Sequence, residues 1–118
     1  MHDLLFKNLS PVKSREQSGC FHVILNSNYQ NIIFCNDLDR IMFLRIIEKY
    51  RKKFDASIYA ITLMHTHVHM LIECNELSEI MRRALRDFSM WYNMNRQQKG
   101  SIFRGPFSSF VIKSEEKA

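Results

Sequence analysis

The chain has 118 residues, of which 46% are hydrophobic and 25% charged, and its formal net charge at pH 7 is +5. We expect a chain of this length and composition to form one globular domain around a single core, which excludes an intrinsically disordered protein. The basic charge favours a polyanionic partner, nucleic acid first and an acidic membrane surface second.

Three cysteines are scattered along the chain, and none of them forms a Cys-x-x-Cys pair. Their odd number and their spacing argue against a disulfide framework and against a thiolate zinc site. The sequence has no apolar run near the ~20 residues that a membrane helix needs, and its first residues do not resemble a signal peptide. We therefore expect a protein of the cytoplasm with no membrane partner.

The predicted elements divide the chain into three segments. Polar and helix-breaking residues over 1–19 predict an N-terminal leader, 20–112 form one predicted domain, and 113–118 form a C-terminal tail. The elements predicted within the domain are, in chain order, a strand over 20–25, a helix capped by Asn36, a strand over 56–64, a turn at His65–Thr66, a strand from His67 onwards, a helix from the cap Ser78 to about residue 98, and a strand over 107–112.

Apolar residues at helical spacing predict the face that each helix buries. In the first helix these residues are Leu38, Ile41, Met42, Leu44, Ile46, Ile47, Tyr50 and Phe54. In the second helix they are Met81, Ala84, Leu85, Phe88, Trp91 and Tyr92, with Asn95 on the same side. Gly100 suits the left-handed position after the second helix. The order strand, helix, strand, strand, helix, strand predicts an α+β, ferredoxin-like (split βαβ) sandwich, an antiparallel sheet with two helices on one face.

The stretch Met64-His65-Thr66-His67-Val68-His69-Met70-Leu71-Ile72-Glu73 carries the most chemistry. Alternation along a strand places His67 and His69 on one face, with backbones roughly 6–7 Å apart, and an apolar set on the other face. Two imidazoles at this separation can bind one divalent metal, and a third ligand must come from elsewhere. His-x-His also occurs in strands that bind no metal. For His65 the simpler interpretation is an exposed turn residue, and for Glu73 a strand-end carboxylate.

The resemblance to a known family depends on motifs spread over 20–112. They are Phe21-His22-Val23, Ile33-Phe34 with Asp37-Leu38-Asp39-Arg40, the histidine stretch above, Tyr92-Asn93-Met94-Asn95-Arg96, and Gly100-Ser101-Ile102-Phe103-Arg104-Gly105. Together they resemble the single-tyrosine HUH transposases, the small enzymes of the simplest insertion sequences and of REP-associated elements.

The resemblance implies a function and a set of site residues. His67 and His69 would bind Mg²⁺ or Mn²⁺, and a tyrosine would attack a phosphodiester of single-stranded or hairpin DNA, leaving a 5′-phosphotyrosine and a free 3′-OH. A metal polarises the phosphodiester, and a phenol is both a usable nucleophile and a good later leaving group. His22 matches a family position that is structural or near the site. Relatives of this kind act as homodimers.

The chain departs from the family pattern in three places. His65–Thr66 stands where the family turn reads Pro-Asn, and Pro106 stands where an arginine usually follows the glycine. In the family the nucleophilic tyrosine lies on a further helix, in a Tyr-Ile-x-x-Asn-Pro segment that also supplies the third metal ligand. That helix should begin where Ser114-Glu115-Glu116-Lys117-Ala118 stops, so we expect this chain to lack both the tyrosine and that ligand. Tyr92 is then the substitute nucleophile within the chain, and the alternative for Tyr92 is an amphipathic core residue.

Basic residues cluster in the second half of the sequence. We expect them to contact DNA phosphates, with surface aromatics available to stack on unpaired bases; the alternative is a solvated helix face. The predicted DNA-binding residues are Arg82, Arg83, Arg86, Arg96, Lys99 and Arg104.

Other functions remain to be weighed against a transposase. One is a catalytically inactive DNA-binding remnant or a domesticated module, which a reading frame without the tyrosine segment would favour. A two-histidine phosphoesterase needs two His-x-Thr/Ser motifs, which the chain lacks. A metal hydrolase of the barrel type also uses His-x-His, but this chain is too short to form the barrel.

Overall fold

The computed structural model describes residues 9–10, by their backbone, and 17–112. The predicted leader is therefore described only in part, and the predicted tail over 113–118 lies outside the described residues. The elements are strand β1 (Leu9–Ser10), strand β2 (Gly19–Asn26), helix α1 (Asp37–Lys53), strand β3 (Ser57–Leu63), strand β4 (His67–Cys74), helix α2 (Leu77–Arg96) and strand β5 (Ser108–Ile112), with a single 3₁₀ turn at Asn28–Gln30.

The strands form one antiparallel sheet in the order β1-β5-β2-β4-β3. Without the short edge strand β1, this is the split βαβ order, in which the first and third strands of the motif lie side by side at the centre. The predicted α+β, ferredoxin-like fold is confirmed. β1 comes from the segment predicted as a leader, and its two residues pair with β5.

The two faces of the sheet differ in chemistry. On β4, the side chains of Val68, Met70 and Ile72 are buried, while the alternating residues His67 and His69 are only partly buried. The buried set packs into the core beneath the helices. We call the opposite side, which no described helix covers, the helix-free face. The histidines therefore project from a strand whose other side is fixed by core packing.

Helix α1 begins where the sequence predicts, because the N–H of Asp39 donates to the Asn36 side chain at 2.9 Å. The prediction of its buried face was partly wrong. Phe43, Ile47 and Tyr50 are buried, whereas three residues predicted to be inside are exposed. These are Leu38, Ile41 and Leu44. Apolar residues occupy more than one side of α1, so helical spacing alone admits several buried faces, and the sheet and α2 select the one that carries Phe43.

Both predicted ends of α2 were wrong by a few residues. The N-cap is Glu76 rather than Ser78, whose N–H instead donates to the Gln17 side chain at 2.6 Å. At the other end, Gln97 takes the left-handed conformation (φ 50°) predicted for Gly100. At the first end, the contact with Gln17 replaces the predicted capping role of Ser78. At the second end, Gln97 adopts the left-handed conformation although it is not a glycine. Among the described residues, no helix is both long enough and apolar enough to cross a membrane.

An aromatic cluster joins the helices to the loops at one end of the sheet. Phe43 of α1 and Phe88 of α2 meet edge to face, with ring centroids 5.1 Å apart. Phe34, from the loop before α1, contacts Phe43 at 5.5 Å, and Phe103, from the loop after α2, contacts Phe88 at 6.2 Å. Buried aromatic contacts of this kind fix both loops against the core.

Candidate metal and nucleic-acid site

A histidine pair stands at the start of β4. His67 and His69 are two residues apart on the strand, so both side chains project from the helix-free face. Their ring centroids are 4.9 Å apart, and the ring planes meet at 79°. The fold therefore places the two imidazoles side by side, as strand alternation predicts.

Hydrogen bonds orient both rings. Nε2 of His22, on neighbouring β2, lies 3.0 Å from Nδ1 of His69, and the Thr66 hydroxyl lies 3.3 Å from Nδ1 of His67. These contacts leave the Nε2 atoms of His67 and His69 as the candidate metal-ligating atoms. A hydrogen bond at the second ring nitrogen commonly fixes the orientation and tautomer of a metal-binding histidine.

The protonation states of His69 and of its hydrogen-bond partner His22 suit a metal site. Burial lowers the pKa of His69, and the neighbouring His67 lowers it further. Burial, followed by the proximity of His69, lowers the pKa of His22 in the same way. Both rings are therefore neutral at neutral pH, and neutral imidazole is the form that binds a metal.

The histidine pair supplies part of a coordination shell. Among residues 17–112, no group of three or more His, Cys, Asp or Glu side chains is arranged to hold a metal ion. His65 is exposed in the turn, where its carbonyl accepts a hydrogen bond from the Ile33 N–H. Glu73, near the far end of β4, accepts one from the Tyr59 hydroxyl. The donor set thus fits a cation that takes its other ligands from water, from a phosphate or from residues outside the described part.

The loops around the histidine pair are joined to one another by backbone hydrogen bonds. We call this end of the domain, formed by 26–36, 64–69 and 97–107, the histidine end. The bonds run from the N–H of Ser27 to the carbonyl of Thr66 (2.9 Å), from Asn28 to Ile102 (2.9 Å), from Ile33 to His65 (2.7 Å) and from Arg104 to Asn26 (2.8 Å). Because each loop holds another, the surface next to the histidines is fixed in shape.

Two cavities open at the histidine end. The smaller, of about 280 Å³, is lined by His67 and Arg104. Its other lining residues are polar, and they are Asn26, Ser27, Gln30 and Thr66. The larger, of about 520 Å³, lies between the 28–35 loop and the end of α2. It is lined by both cationic and aromatic residues, among them Tyr29, Tyr92, Arg96 and Lys99.

The six predicted DNA-binding residues fall into two groups. Arg82 and Arg83 both pair with Glu79 at 2.6 Å, Arg86 pairs with Asp87 at 3.2 Å, and we call these three arginines the arginine ridge. Arg96 pairs with Asp39 at 2.6 Å. Within the described part of the chain, neither Lys99 nor Arg104 forms a salt bridge, and both are exposed. Of the six, only the latter two have no carboxylate partner among the described residues, and both lie at the histidine end.

The hydroxyl of Tyr92 is used inside the fold. It donates to the Ile33 carbonyl at 2.7 Å, the side chain is only 5% exposed, and the Arg96 guanidinium lies 3.7 Å from the ring centroid. Burial, and then a contact with the Cys35 thiol, raises the pKa of Tyr92 to about 12. Tyr92 packs with Phe88 in the core, on the side of the sheet opposite to the histidine pair. This environment suits a structural tyrosine better than a nucleophile.

Tyr29 lies in the 3₁₀ turn between β2 and α1 and was not among the predicted site residues. In the structure this side chain is 86% exposed, and both Tyr29 and Gln30 have a left-handed backbone (φ 56° and 57°). Such a conformation is uncommon outside glycine and is often found at functional sites. No local motif signals it, because the conformation depends on contacts with 64–69 and 97–107.

The model for the family described as "Transposase IS200 like" matches residues 16–114, which is most of the chain. The chain belongs to the IS200-like transposase family. This confirms the family resemblance inferred from the histidine strand and its surrounding motifs. No curated protein matches the sequence.

Two solved structures share the fold of this family member. A REP-associated tyrosine transposase bound to a REP hairpin superimposes with a TM-score of 0.70 at 16% identity, over 92% of this chain and 65% of the other. A protein from Deinococcus radiodurans R1 assigned as a transposase superimposes with a TM-score of 0.64 at 10% identity, over 92% of this chain and 88% of the other. The chain therefore spans about two thirds of the hairpin-bound transposase and most of the second protein.

Proposed function

We propose that this transposase-family domain binds single-stranded or hairpin DNA at the histidine end and holds a divalent cation, Mg²⁺ or Mn²⁺, through His67 and His69. The observation that carries the proposal is the oriented histidine pair beside the exposed Arg104, on a face that core packing keeps rigid. A similar fold in a transposase bound to a REP hairpin supports DNA as the ligand class.

The histidine pair and its supports would define the metal site. A bound divalent cation polarises a phosphodiester and stabilises the oxygen that leaves. His22 and Thr66 contact the Nδ1 atoms of the two proposed ligating rings, which leaves both Nε2 atoms available to the cation. In this proposal the residues of the chain bind and orient, while the cation supplies the charge stabilisation.

The DNA contacts would come from uncompensated charge rather than from the number of arginines. Lys99 and Arg104 are exposed and without a salt bridge in the described structure, and Arg104 shares a cavity with His67. A phosphate bound there would lie next to the metal. The charge of the arginine ridge is compensated in part by Glu79 and Asp87, so the ridge would add less to binding.

The proposed reaction is that of the family: cleavage and rejoining of single-stranded DNA through a phosphotyrosine, by a homodimer. Two of the four tyrosines, Tyr50 and Tyr92, are buried with their hydroxyls engaged by Asp87 and by the Ile33 carbonyl. We therefore place the attacking hydroxyl on neither Tyr50 nor Tyr92. The burial of Tyr92 also favours the second candidate, a DNA-binding remnant or domesticated module without cleavage activity.

Intact-mass analysis after incubation with hairpin single-stranded DNA and Mn²⁺ tests these proposals. We expect a salt-sensitive gel shift and no covalent adduct on this chain. An adduct that disappears in Tyr92→Phe would make Tyr92 the nucleophile and contradict our placement. If the samples show no adduct and no gel shift, that result would contradict DNA binding itself. Sedimentation of the same samples would test the predicted homodimer.

A further inference from the structure

The 28–30 turn holds an aromatic ring out into solvent. Tyr29 is 86% exposed although its backbone is fixed, because Asn28 bonds to the carbonyls of Ile102 and Ser101 and Asn31 closes the turn onto Asn28. An exposed aromatic side chain contributes nothing to the core, and a left-handed backbone at a non-glycine residue costs stability. A fixed, exposed ring is suited to contact with a ligand.

The cavity beside this ring has the chemistry of a nucleotide site. Among the residues that line it there are two cations, Arg96 and Lys99, and no carboxylate. Side-chain amides that can bond to the edges of a base line the same space, and they are Asn28, Asn31 and Gln98. Its volume of about 520 Å³ lies within the ~300–1,000 Å³ typical of small-ligand pockets.

The position of the cavity connects it to the histidine pair. Tyr29 lines the larger cavity, and the next residue, Gln30, lines the smaller cavity that contains His67 and Arg104. Because Tyr29 and Gln30 are adjacent, a DNA strand that lies across the smaller cavity would also pass next to Tyr29. The uncompensated cations Arg104 and Lys99 mark the two ends of this path.

We propose that Tyr29 stacks on an unpaired nucleobase of the DNA strand that passes His67, and that the cavity between the 28–35 loop and the end of α2 holds this nucleotide. The inference rests on the proposed DNA binding and adds to it a subsite for a single-stranded flank. Stacking on an aromatic ring is tolerant of base identity, since every base has a π-face. The amides of the cavity would add a modest sequence preference.

The test compares a short DNA hairpin that carries an oligothymidine flank, on its 5′ or its 3′ side, with the same hairpin without a flank. Of the two flanked hairpins, the one that the wild type binds more tightly is used for the comparison. We expect Tyr29→Asn to bind it on the order of tenfold more weakly than the wild type. Binding of the unflanked hairpin should not change. Asparagine tolerates the left-handed backbone, so the turn keeps its shape. Tyr29→Phe should retain wild-type affinity, and Tyr59→Ala, at another exposed tyrosine, is the matched control.

A second readout locates the base directly. A flank containing iododeoxyuridine should crosslink under ultraviolet light to the peptide that contains Tyr29, and Tyr29→Asn should lose this crosslink. Equal affinity of the wild type and Tyr29→Asn for the flanked hairpin, or a crosslink that maps elsewhere, would overturn the inference alone. A wild-type protein that binds no hairpin of either kind would overturn the proposed function and this subsite together.

Discussion

The arginine ridge and the histidine end carry similar residues but differ in their electrostatics. On the ridge, Glu79 accepts hydrogen bonds from Arg82 and Arg83, and these two guanidinium groups lower the pKa of Glu79 to about 2. At the histidine end, Lys99 and Arg104 have no such partner within the described residues. The ridge arginines are therefore partly compensated, whereas the two cations at the histidine end are available for a phosphate.

The largest expected effect is at the histidine pair. His69→Ala should lower Mn²⁺ affinity, measured by electron paramagnetic resonance with hairpin DNA present, by more than the ~10–100-fold that a lost supporting hydrogen bond costs. Arg82→Ala, on the arginine ridge, is the control and should bind Mn²⁺ as the wild type does. Unchanged Mn²⁺ binding by His69→Ala would remove the metal site from the histidine end.

A smaller loss is expected when only the support of His69 is removed. His22→Ala leaves both candidate ligands in place but removes the hydrogen bond to Nδ1 of His69. We expect about 10–100-fold weaker Mn²⁺ binding with little change in hairpin affinity. Equal loss of hairpin affinity would indicate that His22 acts through the fold, which a thermal melt would show.

Removal of the uncompensated charges should weaken DNA binding about tenfold. In the double variant Lys99→Ala/Arg104→Ala, the slope of log K against log[salt] should fall by roughly 0.7 for each lost contact to a single strand. The matched double variant Arg82→Ala/Arg83→Ala should change the slope less. Fluorescence anisotropy over a salt series measures both. A larger slope change in the ridge variant would reverse the comparison.

Removal of the carboxylate that pairs with the ridge arginines should change hairpin affinity in the opposite direction and by a smaller factor. Glu79→Gln leaves Arg82 and Arg83 without their carboxylate, so a few-fold gain in hairpin affinity is expected at low salt, and it should disappear as salt screens the surface. No gain at low salt would mean that DNA does not approach α2 at all.

The smallest effect on DNA binding is expected for Tyr92→Phe, which should bind the hairpin within about twofold of the wild type. Loss of its hydrogen bond to Ile33 should cost on the order of 1 kcal/mol of folding free energy. Since the folded pKa of Tyr92 is about 12 and the unfolded value ~10, the fold loses stability as pH rises between these values. Denaturant unfolding at neutral and alkaline pH should show a shallower decline in Tyr92→Phe.

Local patterns predicted part of this molecule well. The period of two along β4 placed the histidine pair on one face, and Asn36 began α1 where a cap was predicted. The spacing of Glu79 with Arg82 and Arg83, three and four residues apart, also predicts the ion pairs of the ridge. The buried face of α1 was predicted less well, because Leu38 lies on an apolar side of the helix that does not pack into the core.

The sequence alone determined the order of elements and the pair of candidate metal ligands, because both follow from local periodicity and spacing, and the ferredoxin-like fold was inferred from that order of elements. Only the tertiary structure brought His22 to His69, set Tyr29 beside Lys99 and left Arg104 next to His67. These contacts join strands and loops that are distant in sequence. No local periodicity encodes them, since they depend on how the sheet and helices pack.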